Sequence, residues 1–174
     1  MKKWNIDAGH SEVGFTVKHL LISTVRGRFG VFEGELVAED ESFNNAKLSF
    51  TALASSITTN NSARDAHLQS PDFFDSVNNP NISFVSKSFS KDGENKYKVE
   101  GDLTMRGVTK PITVDAIFNG AINDAYGKRV LSFDVSGIIK RTDFGVSWNA
   151  VLEAGGLSVS EEVTLEATIE LKEE

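Results

Sequence analysis

The chain contains no cysteine, so it can build neither a disulfide framework nor a thiolate metal site, and no Cys nucleophile is available. Its redox compartment is left open by the same absence. It also lacks any run of the roughly 18 apolar residues that a membrane-spanning helix needs. Positive charge is scarce: 18 Lys and Arg stand against 25 Asp and Glu, a net charge of −7. Nucleic acid is therefore not an expected partner, because phosphate binding needs a basic face. The same balance argues against a polybasic anchor on an anionic membrane, so lipid contact is expected to be apolar. The opening residues run from Met1-Lys2-Lys3-Trp4 into Asp7 and His10 without the apolar stretch of a secretory signal. As written, the chain is expected in the cytoplasm, or in the periplasm if a signal segment has been trimmed.

What is present is a chain of 174 residues with 40% hydrophobic content, enough for one domain, 1–174, with a proper core. Its apolar residues mostly recur with a period of two, the mark of half-buried strands. Val13, Phe15, Val17 and His19 share one side of a first strand. A long bent strand follows over 24–37, with a bulge expected near Gly30, where the parity of Val25 and Phe29 gives way to that of Phe32 and Leu36. Ala46, Leu48, Phe50 and Ala52 mark a third strand. The period is lost between Asn61 and Asp75, where Ala63, Ala66 and His67 fall at helical spacing. A short helix capped by Ser62 and ended by Pro71 is expected there.

Strands resume at Ile82 and Phe84, with a turn at Lys91-Asp92-Gly93, then at Tyr97–Met105, Ile112–Phe118, Leu131–Ile139 and Val163–Leu171. Eight strands with one small helical insert predict an all-β fold, an eight-stranded antiparallel lipocalin-like barrel, because closure removes exposed edges. An eight-stranded barrel is just wide enough to be filled by side chains or to hold one slender ligand. Large inward rings (Phe15, Phe29, Phe32, Phe50, Phe84, Phe118, Phe133) alternate with small inward residues (Gly27, Ala46, Ala52, Gly101, Ala116, Gly137, Ala167). That pattern fits both a solid interdigitated core and a tunnel.

Candidates for chemistry are few. His10, His19 and His67 are the only imidazoles, and they lack the short spacings that mark zinc sites. Asp7, His10 and Ser11, and likewise Asp65, His67 and Ser70, hold the letters of a catalytic triad. Neither set comes with a nucleophile elbow, and strand neighbours such as His10 and Ser11 point apart. Arg141 with Asp143, and Arg64 with Asp65, are expected at the rim as salt bridges and loop ties, or else in recognition of a ligand head group.

Several blocks recur in an order that resembles a known family. They are Trp4-Asn5-Ile6-Asp7, His10-Ser11-Glu12-Val13-Gly14-Phe15-Thr16-Val17-Lys18-His19, Gly27-Arg28-Phe29, Arg64-Asp65-Ala66-His67-Leu68, Gly101-Asp102-Leu103-Thr104-Met105-Arg106-Gly107 and Arg141-Thr142-Asp143-Phe144-Gly145. Together they resemble the YceI-like proteins, described as lipocalin-like and polyisoprenoid-binding. The resemblance implies an elongated eight-stranded barrel that binds, stores or carries a long-chain isoprenoid or fatty lipid, with no cofactor, and with homodimers common. The expected tunnel lining is Phe15, Val17, Phe29, Phe50, Phe84, Leu103, Phe118 and Phe133. The alternative is a small metal-dependent hydrolase using His10, His19 or His67.

Overall fold

The computed structural model describes residues 1–153 and 158–174. Eleven strand segments, β1 (Lys2–Ile6), β2 (Glu12–His19), β3 (Ser23–Phe29), β4 (Phe32–Ala38), β5 (Lys47–Leu53), β6 (Ile57–Thr58), β7 (Asn81–Lys91), β8 (Lys96–Met105), β9 (Val108–Asn123), β10 (Arg129–Lys140) and β11 (Val159–Glu173), surround one helix, α1 (Ser62–Gln69). Every pairing is antiparallel, and β11 pairs back onto β1 and β2 to close the sheet. The first three staves of the barrel are each interrupted, β1 with β2, β3 with β4, and β5 with β6, so that eleven segments make the eight staves expected.

The interruptions have local causes. At Gly30 and Val31 the ladder breaks, and Phe29 pairs with Ile57 while Phe32 pairs with Ala52. The expected bulge is thus a full break, because β3 and β4 go on to different neighbours. Strand β1 carries no alternation beyond Lys2, Lys3 and a single large ring, and sequence periodicity passed over it. It is held by the ladder to Leu36 and Glu173 and by Trp4, which is 0% exposed. Helix α1 is capped one residue earlier than expected: the Asn61 side chain, not that of Ser62, accepts a hydrogen bond from the Arg64 N–H. Asn is as good a cap as Ser.

The two ends of the barrel differ. At the base, the connection between β4 and β5 turns inward and delivers Phe43, 0% exposed, onto the barrel axis. Its ring lies 5.0 to 6.4 Å from those of Trp4, Phe89, Tyr97, Phe118 and Phe133. Two anchors hold this connection. Arg129 grips Glu41 with two hydrogen bonds of 2.6 and 2.8 Å, and the Tyr97 hydroxyl donates to the Ser42 carbonyl. The Arg129 guanidinium holds the Glu41 carboxyl below its ordinary pKa.

At the opposite end, the mouth, gather the β2–β3 hairpin, α1 with the chain that follows it, the β8–β9 turn, and the connection from β10 to β11. The hairpin turn is unusual. Leu20 and Leu21 both have positive φ, 53° and 64°, the requirement of a type I′ turn that Asn-Gly normally meets. Left-handed backbone costs a residue such as leucine roughly 1–2 kcal/mol.

Candidate ligand cavity

Between the aromatic base and the mouth the barrel encloses a cavity of about 250 Å3. It touches β11 from Val159 to Ile169, a stretch that corresponds to roughly 25 Å along the barrel axis at ordinary strand rise and tilt. Six of the eight expected lining residues face it: Phe15, Val17, Phe29, Phe50, Phe84 and Leu103. Phe118 and Phe133 do not. They point inward, as their parity required, but sit at the level of Phe43 in the packed base. Alternation gives the face of a strand and not the height along it, hence the error.

The choice between a solid and a hollow interior resolves by height. At Gly27 the space a side chain would take is filled by the Phe15 ring, at Gly101 by the Val85 carbonyl and the Phe84 ring, and at Gly137 by Val114. These glycines leave no room of their own. They let rings lie back against the wall, while Ala52, Val135, Val163 and Ala167 present only short side chains to the axis. Among the described residues, the loop side chains that reach this space, Phe73, Phe74 and Val146, border the cavity at the mouth and leave its axis open.

One charged side chain faces this apolar space from within. Arg141, in the short 3-10 turn after β10 (Arg141–Phe144), is 4% exposed and lines the cavity at the mouth. Glu166 also borders it, but that residue is exposed and its carboxylate lies 4.0 Å from Arg26 on the outer wall. The Arg141 guanidinium meets no carboxylate at ion-pair distance; it donates instead to the carbonyls of Ser160 (2.8 Å), Val146 (2.8 Å), Trp148 (2.9 Å) and Val159 (3.2 Å). Four of its five N–H groups are thus committed to the backbone. The rim salt bridge expected with Asp143 does not form among the described residues, whereas the loop tie does. Burial lowers the Arg141 pKa from its ordinary value.

Arg64 and Asp65 are loop ties of the same kind. Arg64 donates to Thr59 at 2.7 and 2.8 Å, and Asp65 accepts from the Thr59 N–H and hydroxyl at 2.8 and 2.6 Å. The mouth is roofed by His67 together with two rings, Phe73 and Trp148, that alternation does not pick out. Phe73, Trp148 and His67 pack on one another with centroids 4.9 to 5.4 Å apart, and Leu68 and Phe74 reach into the cavity from α1 and its exit. An apolar pair, Phe73-Phe74, set between Asp72 and Asp75 just after Pro71, was the available signal.

The three histidines are not brought together. His10 Nδ1 lies 2.9 Å from Asp7, His67 Nε2 lies 2.8 Å from Asp72, and His19 ends β2. Neither triad assembles: Ser11 bonds to the backbone of Glu170, Ser70 to the backbone of His67, and Asp65 to Thr59. Among the described residues, Asp7, His10 and Glu170 are the one group placed to share an ion. Lys172 Nζ, 2.6 Å from Asp7, offsets one of the group's two carboxylates. Of the three histidines, His10 alone stands in such a group among the described residues.

Hydrogen bonds from Lys172 and then His10 lower the Asp7 carboxyl from 3.8 to about 2. A carboxyl held down in the folded state stabilises it above the unfolded value, and the contribution fades as pH falls through the folded one. Solvent near the pair reduces its worth to about 1 kcal/mol. Asp7→Asn should therefore lower stability by about 1 kcal/mol at neutral pH, and denaturant titrations should converge with wild type near pH 2. An unchanged gap at about pH 2 would assign the loss to something other than ionisation.

An antiparallel barrel with an apolar internal cavity, closed at one end and roofed at the other, defines a barrel of lipocalin-like architecture. The chain belongs to the YceI-like domain family, whose model matches residues 4–171. A UPF0312 protein of Staphylococcus epidermidis is 39% identical over 171 residues, 98% of this chain and 97% of that protein. A second, from Staphylococcus aureus, matches at the same 39% and the same coverage. Among solved structures, a YceI protein of Campylobacter jejuni superposes with a TM-score of 0.78 at 33% identity, covering 97% of this chain and 96% of that one. Burkholderia cenocepacia BcnA shares the fold, with a TM-score of 0.83 at 22% identity over 95% of this chain and 98% of that one. So does a polyisoprenoid-binding domain from Saccharophagus degradans, with a TM-score of 0.73 at 15% identity and 97% coverage of both chains.

Proposed function

We propose that this protein binds a long-chain isoprenoid or related lipid amphiphile, with the tail in the barrel cavity and the polar end at the mouth, and that it is a carrier or store and not an enzyme. The observation that carries this reading is a cavity lined by apolar groups, slender and blind at the Phe43 end, with its single buried charge at the open end. Each methylene moved from water into such a space contributes about 0.8 kcal/mol before entropic costs. A long hydrocarbon is thus retained without any charged contact along its length. The likeness to a domain that binds polyisoprenoids supports the chemical class.

Organic extraction of the purified protein followed by mass spectrometry is expected to release a long-chain lipid. Ala167, which faces Val13 and Val135 across the ladders and lines the cavity, offers the control. Phe at this position fills the axis, and losing room for only two methylenes already costs roughly tenfold in affinity. Ala167→Phe should therefore yield roughly a tenth of the lipid or less. Wild-type protein that repeatedly yields none, from a chain that also fails to take up a fluorescent fatty acid, would remove the reading.

A further inference from the structure

The strained turn between β2 and β3 carries the most exposed apolar cluster at the mouth. Leu21 is 65% exposed and Ile22 86%. The Leu20 N–H donates to the Ser158 carbonyl and the Ser158 N–H to the Ala150 carbonyl, each at 2.9 Å. These two bonds place Val151, 81% exposed, beside the same tip. A turn whose backbone calls for Asn and Gly is thus occupied by Leu and Leu, followed by Ile. Neither folding nor solubility accounts for that choice, since both would favour the polar pair.

The flanks of the turn are equally particular. From Val13 to Phe32 the chain holds Lys18, Arg26 and Arg28 and no Asp or Glu, in a protein whose net charge is −7. The register sets Lys18 opposite Thr24, Arg26 opposite Thr16 and Arg28 opposite Gly14, so all three exposed cations share the outer face of the hairpin. Arg26 lies 4.0 Å from Glu166, whereas Lys18 and Arg28 make no ion pair among the described residues. The inner face of this hairpin is the cavity wall, through Phe15, Val17 and Phe29. An apolar tip, a cationic outer flank and an inner flank lining the cavity meet in one element.

We infer that the β2–β3 hairpin is a membrane-docking element. Leu21 and Ile22, with Val151, enter the headgroup boundary of an anionic bilayer, Lys18, Arg26 and Arg28 lie against its phosphates, and the cavity mouth is thereby held at the lipid surface. The inference rests on the cargo reading above and adds where cargo is exchanged. Net charge concealed it: the acidic balance that argued against a membrane-surface anchor is an average, and membranes are felt only within about a Debye length of a charge. Apolar insertion with flanking cations is the ordinary physics of interfacial binding.

Flotation with vesicles of phosphatidylcholine containing a quarter phosphatidylglycerol tests it. Wild-type protein should float with these vesicles, less with pure phosphatidylcholine, and less as salt is raised. Leu21→Asp with Ile22→Asp should reduce the bound fraction by roughly tenfold or more, and Lys18→Glu with Arg28→Glu by roughly fivefold for each cation removed. Leu20→Asn with Leu21→Gly suits the turn better than the native pair, so its Tm should hold or rise while flotation falls; that loss cannot be ascribed to unfolding.

Uptake of a fluorescent fatty acid from solution should be unchanged in the Asp variant, and uptake from the vesicles slowed. Wild-type protein that takes up the probe yet does not float overturns docking and leaves the cargo reading standing. Flotation without uptake supports docking while removing the cargo reading. A concentration-dependent dimer abolished by the Asp variant, with no flotation of wild type, would overturn docking in favour of a second copy of the chain as the occupant.

Discussion

Phe43→Ala is expected to lower unfolding stability by about 4 kcal/mol, the range for deleting a large buried ring. For a chain of this length that corresponds to a Tm lower by roughly 8–16 °C. The size follows from position. Phe43 is fully buried, and its ring meets five others that come from five different staves of the barrel. Those neighbours are fixed by closed ladders and cannot collapse into the space, which is the condition under which a cavity costs most. The backbone limits relief as well: Phe43 and Asn45 hold positive φ, 55° and 57°, so that the connection can turn its ring inward.

The same substitution opens the blind end. The cavity should lengthen toward the base, and extraction should recover longer chains than from wild type. Thermal and denaturant unfolding read the first effect and mass spectrometry the second. A loss within about 1 kcal/mol would mean that the ring is a lid over an already packed base and not its keystone. Phe118→Ala tests the neighbouring ring: it packs on Phe43 and Phe133 and, like Phe43, lies in the base below the cavity, so its removal should destabilise while short chains are still retained.

That Phe43 went unread in the sequence while Phe118 was read as lining shows what alternation carries. Period two reports which face of a sheet a side chain occupies, and it recovered the eight staves, the closure and most of the inward residues. It is silent on height along the axis, which depends on stagger between staves, and so Phe118 and Phe133 were placed in the cavity. It is silent also on residues that reach the interior from connections. Phe43 stands in the polar stretch Glu41-Ser42-Phe43-Asn44-Asn45, where no period exists to be read. Trp4 was missed because β1 is too short to alternate visibly, and Phe73, Phe74 and Trp148 because they roof the mouth from loops. The small inward residues misled in a different way. Gly27, Gly101 and Gly137 promised space, yet each is filled by a neighbour's side chain, and the open axis owes more to short aliphatics facing it than to glycine.

Arg141→Met should cost about 3 kcal/mol and loosen the mouth. A methionine fills much of the same buried volume but donates nothing, leaving the carbonyls of Val146, Trp148 and Ser160 without this donor, while that of Val159 keeps its bond from the Asn149 side chain. Buried acceptors stripped of a charged donor cost about 1.5–3 kcal/mol each where water cannot replace it, and less at the rim, so the three do not sum. Arg141→Lys should recover only part of the loss, since an ammonium has three donors and no planar fork to span two segments at once. The segments so joined are the start of β11, which walls the cavity, and the chain through Trp148, which roofs it with Phe73 and His67. Untying them should speed hydrogen exchange at 146–148 and 159–160 and raise the rate at which a bound fluorescent lipid leaves, with the exchange of base residues such as Leu131 and Leu171 unaffected. If lipid leaves at the wild-type rate while the mouth amides exchange faster, the roof is not the barrier to release. Attention would then turn to the wall, where the ladder between β9 and β10 ends at Asp115 and Ser136 and β9 from Val108 to Val114 pairs with β8.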